Sequence, residues 1–508
     1  MTTTPARAKP ALAECELGES ASCAPSGIRV RMAPAPTGRL HIGTARTTLY
    51  NWLFARHHRG VFVLRMEDSD QARSSPEFAR DILEGIRWLG LDWDEGPEVG
   101  GPYGPYFQSQ KLPRYQEVAR LLLEKGLAYP CYCTPEELAE RRQAMERQGL
   151  PPRYDRRCRG LSAAARARLE AEGRPKATRF VVPDEGAVAW HDLIRGEVSF
   201  ENSLLDDFVL VKADGFPTYL LAVVVDDHDM RISHVIRGED LISATPRQIH
   251  IYRALGWPLP QFAHIPLILG PDRSKLSKRH GATSLTEYRE RGYLPEAVMN
   301  FIALLGWSPG EDREVLTRGE MIAEFSLEGV GKSGAVFDLE KLNWMNGLYL
   351  RRLSPEEYVA RARLFLEQAG LDLSAFPREQ VGRALMLEQE RAKTLAEIPE
   401  LTEFFFREPP GYDEKGERKW FRRPGAADLL AAVRTTLEGV TSFDEKTVEA
   451  AVREVGERSG GAGPVIHSLR LAVTGRTVGP GLFALMAVLG KEAVLRRLRR
   501  AEERVRSY

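Results

Sequence analysis

Residues 29–54, RVRMAPAPTGRLHIGTARTTLYNWLF, constrain the fold more than any other stretch of the chain. Val30 and Met32 alternate as in a short buried strand, Pro34, Pro36 and Gly38 break it, and the run from Thr44 reads as a helix. A strand passing into a helix through a small-residue loop aims backbone N–H groups and the positive end of the helix at whatever lies above the turn. Phosphate suits that place. His41 adds a ring nitrogen for a phosphate oxygen, and Gly43, with no Cβ, lets a nucleotide base lie close. Taken alone, the stretch also fits an ordinary Pro/Gly loop with a surface histidine.

A second stretch bears on that choice. Residues 269–280, LGPDRSKLSKRH, put Lys275, Ser277 and Lys278 in a polar loop with a glycine. PTGRLHIGT is similar to the HIGH motif of class I aminoacyl-tRNA synthetases, and KLSKR resembles their KMSKS motif. Their order, and a separation of well over 200 residues, match a Rossmann-like fold split by a large insertion. From residue 29 to its C-terminus the chain resembles the bacterial-type glutamyl-tRNA synthetases. That resemblance implies an α/β protein with a Rossmann-like catalytic domain in two pieces, 28–107 and 217–283, around an inserted acceptor-binding domain, 108–216. A stem-contact domain at 284–350 and an all-helical anticodon-binding region at 351–508 would follow.

The bulk properties agree. At 508 residues the chain can hold three or four domains. Its formal net charge is zero, so any RNA-binding surface must be a local patch. No apolar run reaches the roughly 18 residues of a membrane span, and the first 27 residues lack the h-region of a secretory signal. The five cysteines, three of them between Cys131 and Cys158, suit reduced thiols or metal ligands better than a disulfide framework. A soluble, cytoplasmic protein is expected. Residues 1–27 read as a disordered tail, and Glu14, Glu16 and Glu19 count against a transit peptide.

Taken in order, residues 61–70, VFVLRMEDSD, form a strand ending in acids, followed by an amphipathic helix over 81–91 and a Gly/Pro loop over 96–109. The insertion opens with a helix over 114–125, and Thr134 with Glu137 forms a capping box. Cys131, Cys133 and Cys158 resemble the zinc-binding insertion of many bacterial members. The usual fourth ligand, a histidine, is Gly160 here, so Tyr154 is the substitute, and buried thiols without zinc leave the same trace. Residues 204–212 read as a parallel-looking strand, 223–228 as a strand with polar ends and 232–236 as another. Helices follow at 294–307 and at 336–347, the latter ending at Gly347, and beyond Ser354 every long segment has helical period. The basic helix over 495–504 reads as a solvated face.

The resemblance assigns chemistry to particular residues. ATP would lie over Pro36, Thr37, Gly38, His41, Gly43, Ser277 and Lys278, with Mg2+ on the leaving pyrophosphate. His41, Gly43, Lys275 and Lys278 would carry catalysis, which in phosphoryl transfer is positioning and charge stabilisation. Arg31 would pair the side-chain carboxylate of L-glutamate, Glu67 would hold its α-ammonium, and Tyr219 and Arg237, taken to lie at strand ends, match pocket residues. Ala35 stands where the family has serine, and Arg391 stands where some members read the third anticodon base. The implied reaction is attachment of glutamate to tRNA(Glu) through glutamyl-adenylate by a monomer. The alternatives are a form that also charges tRNA(Gln), a catalytically silent RNA-binding descendant, and a nucleotidylyltransferase, whose shorter chain would not need the helical half.

Overall fold

Val30 pairs with Phe62 and Met32 with Leu64 in a parallel register, four buried apolar residues that alternate with Arg29 and Arg31 along the opening strand. In chain order the first elements are β1 (Arg29–Met32), α1 (Ile42–His57), β2 (Val61–Leu64), α2 (Pro76–Trp88) and α3 (Leu112–Glu124). Then come β3 (Ala128–Cys131), α4 (Pro135–Arg147), α5 (Ala163–Ala171), β4 (Ala177–Phe180), β5 (Ala187–Asp192), β6 (Gly196–Glu201) and β7 (Val209–Val211). This half of the chain closes with α6 (Tyr219–Asp229), β8 (His234–Gly238), α7 (Thr245–Leu255), β9 (Gln261–Ile265), α8 (Leu285–Glu290) and α9 (Pro295–Ala303). The structure is a computed structural model describing residues 27–149, 153–281, 284–310, 312–459 and 461–508. Of the tail expected at 1–27, all but Gly27 lies outside the described residues.

The main sheet has six strands in the order β2-β1-β8-β9-β5-β6, parallel except for β6 at the edge. β5 joins it through a single register pair, Asp192 opposite Phe262. α1 packs on this sheet and is buried nearly all round, as a helix against a two-sided parallel sheet must be. α2 starts earlier than the expected 81–91 because Ser75 caps it and Pro76 occupies its first turn, while Ala79, Ile82, Leu83 and Ile86 supply the buried stripe. One hydrophobic core joins sheet and α1 to residues of the 285–345 region, so the segment after the lysine loop packs on the nucleotide fold. A second core lies in the helical half, and a third around α3, α6 and α7.

Three expectations change here. Residues 187–201, placed in the insertion, form β5 and β6 of the main sheet; the separate sheet holds only β3, β4 and β7. β7 is antiparallel to β4, not parallel. Residues 223–228 are helical within α6, where Leu221 to Asp227 are all buried, so the run has no polar stripe to distinguish it from a buried strand.

Beyond Ser354, whose capping box with Glu357 forms as expected, no strand occurs among the described residues. The helix Leu339–Arg352 does not stop at Gly347 but runs through it. A Cβ there would lie 3.3 Å from the movable Arg351 Nη1 and at an ordinary contact distance, 3.6 Å, from the Ala392 carbonyl oxygen, so the helix passes through this glycine without depending on it. The last helix, Lys491–Arg506, is not simply solvated. Arg497 is buried and donates to the carbonyls of Val473 and Arg407, Arg500 donates to Pro409, and Arg504 pairs with Glu417. Arg497 thereby closes the backbone ends of two neighbouring helices.

Candidate active site

The C-terminal ends of β1, β2 and β8 and the N-termini of α1 and α6 surround a cavity of about 320 Å3. Arg31, His41, Gly43, Glu67, Tyr219, Arg237 and Lys275 all line it. One correction concerns Tyr219, which opens α6 and is not at a strand end.

The floor is a buried charge network. Arg31 Nε donates to Asp227 at 3.1 and 3.2 Å, and Arg65 donates to Asp227 at 2.8 Å and to Glu67 at 3.2 Å. Arg65 Nε also lies 3.4 Å from Asp226, whose carboxylate takes Lys111 at 2.7 Å, Tyr115 and Gln108. Three cations, Arg31, Arg65 and Lys111, thus face three carboxylates, Glu67, Asp226 and Asp227. Burial alone would drive Asp227 up, but its two arginines outweigh burial and hold it below the ordinary carboxylate value. Glu67 fares differently: burial dominates over Arg65 and Arg31 and pushes it up to about 7. Among the described residues the two Nη nitrogens of Arg31 have no hydrogen-bond partner, which leaves that fork available on the cavity side.

Arg237, only 3% exposed, lies outside this balance. Its Nε donates to His264 Nε2 at 3.1 Å, Nη1 to the Tyr219 hydroxyl at 3.2 Å, and Nη2 to Thr245 Oγ1 at 2.8 Å and the Leu241 carbonyl. No carboxylate touches it among the described residues. Burying a cation without a direct anion is costly, and a bound carboxylate would offset that cost.

At the α1 end of the cavity His41 is the N-cap of the helix, and its Nδ1 accepts the Gly43 N–H at 3.0 Å. In the neutral ring that bond puts the proton on Nε2, the arrangement a phosphate donor needs. A Cβ on Gly43 would meet only the His41 ring, at 3.4 Å, so the glycine keeps the helix end open. Lys275 is tethered to Asp240 at 3.0 Å, and Ser277 is held by His280, whose Nδ1 accepts the Ser277 N–H at 3.1 Å. The loop is tied back to α1's entrance: Leu285 N–H donates to Leu40, and Asp81 accepts from both Leu40 N–H and Thr286. Pro36, Thr37, Gly38 and Ser277 do not line the cavity, and the exposed Ala35 is also outside it. Pro36 instead borders a neighbouring hollow with Asp68 and Phe107. The side chain of Lys278 lies outside the described atoms.

Two expected groups stand apart from the cavity. Cys131, Cys133 and Cys158 bring their sulfurs within 4.8 Å of one another, Cys133 and Cys158 at 3.7 Å, with the Tyr154 hydroxyl 3.3 Å from Cys131 Sγ. Sulfurs about 3.8 Å apart are what tetrahedral zinc–thiolate bonds of about 2.3 Å produce. Hydrogen bonding from Cys158 draws the Cys131 thiol down to about 4, so the donor set suits a soft cation. Arg391 sits on a turn after the helix Arg378–Met386, paired at 2.6 Å with Glu388, which burial raises to about 7.

The sequence reading missed Asp226, Asp227, Asp240, Asp192 and His264. The Asp-Asp pair inside an apolar run was a usable signal, since two adjacent acids are rarely buried unless paired. Asp192 and His264 carried no local signal beyond a turn and a strand.

Comparison with known proteins follows the same division of the chain. Residues 27–344 match the family described as tRNA synthetases class I (E and Q), catalytic domain, and residues 357–502 match the anticodon binding domain. A glutamate--tRNA ligase of Moorella thermoacetica is 52% identical over 483 residues, 94% of this chain and 99% of the relative. One from Desulforudis audaxviator is 50% identical over 481 residues, 93% of this chain and 96% of the relative. The crystal structure of a glutamate tRNA ligase from Elizabethkingia meningosepticum, in complex with its amino acid, superposes with a TM-score of 0.86 at 37% identity, covering 94% of this chain and 99% of that one.

Proposed function

The chain belongs to the class I tRNA synthetases of the E and Q type, and from that premise we infer how it attaches L-glutamate to tRNA(Glu). It is an ATP-dependent ligase working in two steps. A glutamate α-carboxylate oxygen attacks the α-phosphorus of ATP, the bond to the β-phosphate breaks, and pyrophosphate leaves with the electron pair. A hydroxyl of the terminal ribose, the 2' one, then attacks the acyl carbon and releases AMP.

The observation that carries the site assignment is the buried, acid-free Arg237 facing the same cavity as the open fork of Arg31 and the carboxylate of Glu67, which Arg65 braces from behind. Two anion anchors and one acid are what a dicarboxylic amino acid requires. Arg31 pairs the side-chain carboxylate, Arg237 with Tyr219 supplies the second anion anchor, and Glu67 takes the α-ammonium. Arg31 and Arg237 also favour glutamate over glutamine, because an uncharged amide leaves one buried cation unmatched. His41 donates to phosphate from Nε2, Gly43 admits the nucleotide, and Lys275 and Lys278 close over the phosphates with Mg2+.

The insertion grips the acceptor end, and the helical half, matched to an anticodon binding domain, reads the anticodon through Arg391, its guanidinium braced by Glu388. Cys131, Cys133, Cys158 and Tyr154 hold one zinc ion as a structural knuckle. The enzyme works as a cytoplasmic monomer; among the described residues no helix is long and apolar enough to cross a membrane.

Charging of purified tRNA(Glu) and tRNA(Gln) with radiolabelled glutamate tests this reading, using wild type, Lys275→Ala and Arg391→Ala. Charging of tRNA(Glu) alone, lost in Lys275→Ala, is the expected result. Equal charging of tRNA(Gln) would replace the discriminating assignment, and full activity in Lys275→Ala would remove the lysine loop from the chemistry.

A further inference from the structure

β5 ends in the turn Asp192-Leu193-Ile194-Arg195, whose N–H groups need an acceptor. Asp192 supplies it: Oδ1 accepts from Ile194 N–H at 3.1 Å, Arg195 N–H at 2.9 Å and His264 N–H at 3.2 Å. An aspartate at a turn commonly does no more than this. Here its other oxygen, Oδ2, lies 2.5 Å from His264 Nδ1, and both side chains are fully buried. A carboxylate can only accept, so the ring proton is on Nδ1 and Nε2 presents a lone pair. That lone pair is what Arg237 Nε meets at 3.1 Å. In the other tautomer two N–H groups would oppose each other at this contact.

A guanidinium is planar, so fixing two of its nitrogens fixes the third. Nε is held by His264 and Nη2 by Thr245, which leaves Nη1 beside Tyr219 at the cavity. The spacing also suits the charges. A carboxylate directly on Arg237 would compete with a bound anion, whereas one placed beyond a neutral ring steadies the cation and leaves its outer edge open.

We propose that Asp192 and His264 are positioning residues for Arg237: the aspartate sets the histidine tautomer, and the histidine sets the direction in which the arginine meets glutamate. This rests on Arg237 being an anion anchor. Neither residue touches substrate, and their effect appears in glutamate binding rather than in the use of ATP.

Four variants of the full-length enzyme test it in a charging assay at saturating ATP and tRNA. In Asp192→Asn the amide oxygen can keep the three turn N–H bonds while the amide nitrogen faces Nδ1, which must then accept, so the ring proton moves to Nε2 opposite Arg237. We expect KM for glutamate to rise about 100-fold, the scale of a small misplacement at a binding group, with KM for ATP and the melting temperature close to wild type. His264→Gln can offer an oxygen near the Nε2 position and should stay within about tenfold of wild type. His264→Asn reaches only the Nδ1 position and should match Asp192→Asn. Wild-type KM in Asp192→Asn, or equal losses in His264→Gln and His264→Asn, would overturn the proposal. Arg237→Ala separates the two layers: if it keeps wild-type KM, the anchor assignment fails and the relay with it. If it loses glutamate binding while Asp192→Asn does not, the relay alone fails. Should Asp192→Asn not fold, the comparison of the two His264 variants decides.

Discussion

Lowering the pH from 8 to 6 should weaken glutamate binding and at the same time relieve a strain on the fold, both through Glu67. Burial raises this carboxyl from 4.5 to about 7, because Arg65, its partner at 3.2 Å, is shared with Asp226 and Asp227. Capture of an α-ammonium requires the ionised form. With a value near 7 the ionised fraction is about nine-tenths at pH 8 and about one-tenth at pH 6, so kcat/KM for glutamate falls about tenfold across that window. The stability effect has the opposite sign. The folded-state value lies above the unfolded one, so above pH 7 the native state carries an ionised group that burial disfavours, a cost of about 3 kcal/mol. As pH falls through 7 toward 4.5 the folded chain takes up a proton that the unfolded chain does not, and the cost disappears. Glu67→Gln should therefore lack the acid limb, bind glutamate poorly at every pH, and at pH 8 melt above wild type by on the order of 5 °C. The assays are initial charging rates at sub-saturating glutamate from pH 6 to 8, and thermal unfolding at both ends. A flat wild-type profile, or an acid limb that survives in Glu67→Gln, would refute the reasoning.

Arg31→Ala removes the open fork and leaves Asp227 with Arg65 alone; kcat/KM for glutamate should fall by about 100-fold or more while KM for ATP holds, and a twofold effect would exclude Arg31 as an anchor. Elemental analysis should find about one zinc per chain, lost in Cys158→Ser together with a lower melting temperature; a zinc-free protein of unchanged stability would make the cluster plain buried thiols. Gly292→Ala should destabilise by about 3 kcal/mol or more, because the residue has φ +74°, which favours glycine, and a Cβ would meet the Ala396 nitrogen at 2.5 Å. Urea unfolding measures it, and a neutral result would mean that the joint between α8 and the following half is loose.

The turn before α1 and the lysine loop that border the cavity were legible because their signals are local: Pro34, Gly38 and His41 mark a turn, and Lys275 lies in a polar loop a few residues long. The floor was not, since Asp227 finds Arg65 across 162 positions and Arg31 across 196. Residues 223–228 misled for a different reason. A helix buried all round and a buried strand share the same uninterrupted apolar run, and only packing against α7 and β7 separates them. Gly347 looked like a helix end because glycine so often follows a helix's last turn, yet here the helix runs on through it to Arg352. The arginines of the last helix looked solvated because their acceptors are backbone carbonyls, which every sequence contains and none displays, and glutamates 61 to 89 positions away.

The placement of β5 and β6 in the main sheet has a consequence for the order in which a ribosome can finish this protein. The small sheet of β3, β4 and β7 is complete once Val211 has emerged, and it can form while synthesis continues. The hairpin of β5 and β6 is made earlier than β7, yet its neighbour in the main sheet is β9, which ends only at Ile265. For some 60 residues of elongation, several seconds at ordinary rates, that hairpin therefore waits with one edge unpaired. The edge it exposes carries Asp192, a buried acid in the finished molecule, and a charge on a waiting strand is one of the means by which chains discourage premature partners.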